Sequence, residues 1–107
     1  MTHQRLPGDC EAYRHLGPFT AATLPAGLLR AHALKPGCWG VLTVAAGRID
    51  FVWEDTLDEP VQLNAGGSIM IPPERRHHLD VTGEFSLAIC LYRTPALFAA
   101  PGSPATP

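Results

Sequence analysis

An all-β sandwich or small barrel is the fold predicted by this sequence of 107 residues. Two observations carry the prediction. Eleven prolines and ten glycines are spread along most of the chain, and such scattered punctuation means many turns. Between the turns lie short apolar runs, several of which alternate with the period of two expected of half-buried strands. The length suits one modest core and is too short for two.

The elements follow in order. Residues 1–17 are polar, with Pro7, Gly8 and Gly17 but no sustained period, and are expected to form an arm over the body or a frayed end. "TLPAGLLRAHALKPG" reads two ways. Its Ala and Leu content, with Thr23 as an N-cap and Gly37 as terminator, suits a helix. A strand over 28–34 feeding a turn centred on Pro36 and Gly37 suits the same residues. "CWGVLTVAAG" and "RIDFVWED" then read as two strands of a hairpin, with Ile49, Phe51 and Trp53 on one face of the second. "VQL" and "SIMI" are short strands flanking an "NAGG" turn, and Pro72 and Pro73 close the second. In "HHLDV", His77, Leu79 and Val81 share one face, while His78 and Asp80 take the other. "EFSLAICLYR" is a longer closing strand with Phe85, Leu87, Ile89 and Leu91 together. The chain then becomes rich in Ala and Pro, and 95–107 are expected to be a flexible tail.

Composition removes several functions. With 46% hydrophobic and 17% charged residues the chain is globular in type, and a net charge of −2 gives no footprint for nucleic acid or an anionic membrane. No uncharged stretch approaches the ~20 residues needed to span a bilayer, and no secretory leader is expected, since no charged segment followed by an apolar one stands at the start of the sequence. Cys10, Cys38 and Cys90 are odd in number and share no CxxC spacing, which argues against a disulfide framework. A reducing cytoplasm is the expected setting.

The runs "LKPGCWGVLTVAAGRIDFVW", "VQLNAGGSIMIPPERRHHLDV" and "FSLAICLYR" resemble the small cupins of the tellurite-resistance TehB-like or YeaR-like family. The match covers 18–93, and its most specific pieces are KPGxWGxLxVxxGxxxF and PPExxH. The resemblance implies a double-stranded antiparallel β-helix, the cupin jelly-roll barrel, over 18–94, with 28–34 as a strand. It also implies a homodimer and a bound metal. Related longer proteins join such a cupin to a methyltransferase, but this sequence has no glycine-rich nucleotide loop on which to carry that activity over. The general second cupin motif lies over Gly66, Pro72 and His77, with Glu74 where most cupins have glycine. The first motif is reduced to one histidine, His32, ahead of the KPGxW run.

His32, Glu74 and His77 are thereby the implied metal ligands, a two-histidine, one-carboxylate set with open positions. Imidazole suits Zn, Fe and Ni, and a carboxylate extends the range to Mn. His78 is expected to face solvent, and Arg75 with Arg76 form either an anion-attracting rim or plain soluble surface. Trp39, Phe51 and Trp53 serve as pocket wall, core or dimer interface. No serine or cysteine has a visible base partner, so nucleophilic catalysis has no support. Three functions compete. One is a metal-dependent cupin that binds or transforms a small oxygenated or anionic compound. The second is a non-catalytic metal or small-molecule binding module, and the third a metal-free structural dimer.

Overall fold

The computed structural model describes residues 10–94; the tail expected over 95–107 lies outside them. Six strands form among the described residues: β1 Glu11–Thr20, β2 Cys38–Trp53, β3 Val61–Asn64, β4 Ser68–Ile71, β5 His77–Asp80 and β6 Phe85–Arg93. All pairings between them are antiparallel. Two short 3-10 turns, at Ala26–Leu29 and Glu54–Thr56, are the helical elements among these residues.

The organising element is β2, which runs for 16 residues and serves both sheets. Its first half lies between β6 and β4, and β1 extends that sheet beyond β6. Its second half lies between β3 and β5. The hairpin expected at Ala46–Gly47 is therefore one continuous strand that bends. The register against β6 slips between Val44 and Ala46, and Gly47 takes a φ of 74°. A bulge followed by a left-handed glycine turns a strand through a corner without ending it.

Alternation then fixes the interior. From the first sheet Leu42, Val44, Ile71, Leu87 and Ile89 point inward, and from the second Ile49, Phe51, Trp53, Leu63 and Leu79 meet them in one cluster. Each large side chain so buried contributes about 1.5–3 kcal/mol. The outer face of the first sheet carries Trp39 opposite Tyr92 and Val41 opposite Cys90.

Two segments differ from expectation. Residues 11–17 of the stretch assigned to an arm belong to strand β1, which pairs with β6 from Glu11 onward, while 1–9 lie outside the described residues. An edge strand with only Leu16 and Phe19 packed against the core carries little hydrophobic signal. Residues 28–34 are neither a full helix nor a strand: the 3-10 turn ends at Leu29, and His32 alone makes a β-bridge, to His77.

Candidate functional site: two histidines on one barrel cavity

His32 and His77 are brought together by their own backbones. His77 N–H donates to His32 O at 2.8 Å, and His32 N–H donates to His77 O at 3.0 Å. Residues joined by such a reciprocal antiparallel pair project their side chains to the same face. Their ring centroids accordingly lie 4.3 Å apart, edge to face. The two rings are also held alike. His32 Nδ1 lies 2.8 Å from Arg30 O, and His77 Nδ1 lies 2.8 Å from Arg75 O. A carbonyl only accepts, so each Nδ1 carries the proton, and in the neutral ring Nε2 keeps its lone pair. This backbone anchoring had no mark in the sequence beyond the two histidines themselves.

His77 is 2% exposed. Its ring stacks on Phe51, with centroids 5.0 Å apart and planes 18° from parallel, and meets the edge of Trp53 at 5.6 Å. Both aromatics come from the second half of β2, where Trp53 pairs directly with His77 and Phe51 with Leu79. His32 and His77 line a cavity of about 90 Å³ whose other nine lining residues are all apolar, among them Leu28, Leu34, Leu42, Phe51 and Ile71. His77 Nε2 has no hydrogen-bond partner among the described residues, and none of their side-chain nitrogens or oxygens is both sealed and unpartnered. Nε2 is thus left with some access, on a ring that lines the cavity.

Burial pushes the His77 pKa down to about 4, against an opposing pull from the Arg75 carbonyl. The folded value lies below that of the unfolded chain, so acidification protonates the unfolded state first. The associated stability is complete above pH ~6.5 and is lost as pH falls toward 4. In metal-free protein, wild type is expected to lose roughly 2.5 kcal/mol more than His77→Gln between pH 7.5 and 4.5. Urea unfolding at the two pH values checks this, and equal losses in both proteins would contradict it.

The remaining candidates sit elsewhere. His78 lies on the opposite face of β5, where Nδ1 meets the Glu54 carboxylate and Nε2 stands 3.4 Å from Asp80. Glu74 is not brought to the two imidazoles. It takes a left-handed φ of 66°, is exposed, and lines a surface depression with Glu54, Asp55, Pro73, Arg75 and Arg76. The left-handed turn after two prolines accounts for the displacement, since it redirects the backbone just where a carboxylate would have to turn inward. Among the described residues no group of three His, Cys, Asp or Glu side chains gathers as a metal site. Arg75 grips Asp55 with two nitrogens, at 2.9 and 3.0 Å, and lies 3.9 Å over the Trp53 ring. That fork holds the Asp55 carboxyl below its ordinary pKa. Arg76 donates to Ala31 O at 3.2 Å. Both arginines are engaged in holding the strand mouth together.

The antiparallel jelly roll has the fold of a cupin barrel. The fold is shared with a cupin-2 domain protein from Shewanella frigidimarina, at 16% identity and a TM-score of 0.52 over 80% of this chain and 72% of that one. The chain belongs to the TehB-like family, whose domain model matches residues 14–89. Two solved structures are more similar in fold. An Escherichia coli K12 protein shares 23% identity at a TM-score of 0.76, covering 86% of this chain and 98% of that one. TehB from Haemophilus influenzae shares 19% identity at 0.77, covering 94% of this chain but 37% of its own length. Comparison with curated proteins finds no match. No helix among the described residues is long and apolar enough to cross a membrane.

Proposed function

We propose that this barrel is a metal-binding cupin in which Nε2 of His32 and His77 holds one divalent transition metal beside an apolar ligand cavity. The observation that carries this is the matched pair of imidazoles, each fixed in the same tautomer by a carbonyl at 2.8 Å. Metal-binding histidines commonly donate their second ring nitrogen to just such an acceptor, which orients the ring and raises its basicity. Two neutral imidazoles fit the borderline ions zinc, nickel, iron(II) and copper, with water or a ligand completing the shell. Without Glu74 the pair suits manganese less well, because a hard ion calls for oxygen donors. Once bound, such an ion would supply a Lewis-acid centre. The chain's own residues orient the two nitrogens, and Phe51 and Trp53 keep water from the His77 ring.

A non-catalytic small-molecule binding module is the second reading, favoured by the apolar wall of the cavity. Either form is proposed to act in the cytoplasm as a homodimer, with the uncharged face around Trp39, Val41, Cys90 and Tyr92 as the surface a second copy would cover.

Equilibrium dialysis of tag-free protein against zinc, nickel or iron(II), followed by elemental analysis, tests the metal. About one equivalent is expected in wild type, with affinity lowered at least tenfold in His32→Ala and in His77→Ala. His78→Ala and Glu74→Gln are expected to bind as wild type does. Loss that follows Glu74 or His78, or no uptake by wild type, would overturn the assignment.

A further inference from the structure

The cavity beside the two histidines has a chemistry of its own, and it limits what can enter. None of its lining side chains is a lysine or arginine, and none is a carboxylate. Two of the neighbouring cations are committed elsewhere, Arg75 to Asp55 and Arg76 to the Ala31 carbonyl. An anion entering this space would lose its hydration and meet no compensating charge. The polar groups that face the interior are the imidazoles, and their Nδ1 protons are already spent on Arg30 O and Arg75 O. With Nδ1 the donor in both rings, Nε2 of each neutral imidazole offers a lone pair and no proton. The wall therefore accepts hydrogen bonds and does not donate them.

Size sets the second limit. The cavity measures about 90 Å³. An apolar cavity of about 150 Å³ holds benzene, and one water occupies about 30 Å³ of the liquid, so the space suits roughly three to five non-hydrogen atoms. We infer that the cavity takes a small uncharged molecule, apolar along its body, whose single hydroxyl donates to Nε2 of His77 or His32. The inference rests on the barrel cavity being the ligand site, as in the reading above, but not on a metal being held there.

Metal-free protein at pH 8 tests it, with the histidine ring resonances followed by NMR during titration with three probes of matched size: butan-1-ol, butan-2-one and propionate. The alcohol is expected to saturate the His32 and His77 shifts in the millimolar range. The ketone, which lacks a donor, is expected to bind at least threefold more weakly, and propionate at least tenfold more weakly. Propionate binding as well as the alcohol would overturn the charge selectivity, and a ketone equal to the alcohol would overturn the hydroxyl contact. Absence of binding by all three would overturn the inference entirely. Because chelator-treated protein is used, this outcome is separate from the dialysis result. An alcohol that binds where no metal loads leaves this inference standing alone, and a metal that loads where no alcohol binds leaves only the metal reading.

Discussion

Replacing Gly47 with alanine is expected to cost more than about 4 kcal/mol, enough to leave much of the protein unfolded. A Cβ at this position would overlap Glu84 O outright and stand 2.8 Å from Phe85 Cα and 3.0 Å from Glu84 C. All three are backbone atoms, which have no rotamer by which to withdraw. The backbone of β6 is itself fixed, because Phe85 pairs with Gly47 and Leu87 with Val44 while β1 holds the far edge of β6. Added to this is the φ of 74°, which an alanine adopts at a cost of about 1–2 kcal/mol. Gly66 supplies the control. It too has a positive φ, of 91°, but a Cβ there meets no atom within 4 Å. Gly66→Ala should therefore lose about 1–2 kcal/mol from backbone strain alone. Urea denaturation of the two variants separates overlap from strain, and a Gly47→Ala penalty no greater than that of Gly66→Ala would show that the corner of β2 yields. The site depends on that corner: it carries Phe51 and Trp53 out of the first sheet and under the His77 ring.

The same residue shows how far the sequence could be read. Alternation located β3, β4, β5 and β6 and placed His77 on the inner face, because a half-buried strand must segregate its apolar side chains. At Ala46 and Gly47 the local signal was that of a turn, and a turn residue in a strand pattern stands for a hairpin or for a corner with equal local logic. What decided between them was the pairing of β2 with β6 on one side of Gly47 and with β3 and β5 on the other, which no local window contains. His32 was a harder case. It lies in no regular strand, and its inward direction comes from one bridge to His77, so the resemblance to a family reached it where periodicity could not. Glu74 marks the opposite limit. Its residue type and its spacing from His77 suited a shared ion, but chemistry in sequence says nothing about a left-handed backbone, and the φ of 66° leaves it outside the cavity. Strand β1 was obscured for a simpler reason: an edge strand that buries little looks like a polar arm.

Phe51→Ala is the other large effect, expected at about 3–5 kcal/mol. Phe51 is fully buried, and its ring meets two others: Trp53 edge to face at 4.8 Å and His77 face to face at 5.0 Å. Truncation removes the transfer energy of the ring and leaves a void beside an existing cavity, so the wall cannot readily collapse to fill it. Loss of the aromatic pair with Trp53 adds about 0.5–1.5 kcal/mol to what burial alone would give. Phe51→Leu keeps most of the volume and should cost less than half as much. The consequence for the site is separable from stability. With the ring gone, His77 retains its Nδ1–H bond to Arg75 O but has no plane to lie on, and water reaches the imidazole from a second side. The low pKa of His77 arises first from burial, so in Phe51→Ala it should climb back toward 6.5, visible in an NMR titration of the His77 ring in metal-free protein. A His77 pKa that stays near 4 after the ring is removed would mean that the backbone bridge to His32, and not the stacked aromatic, is what keeps this histidine dry.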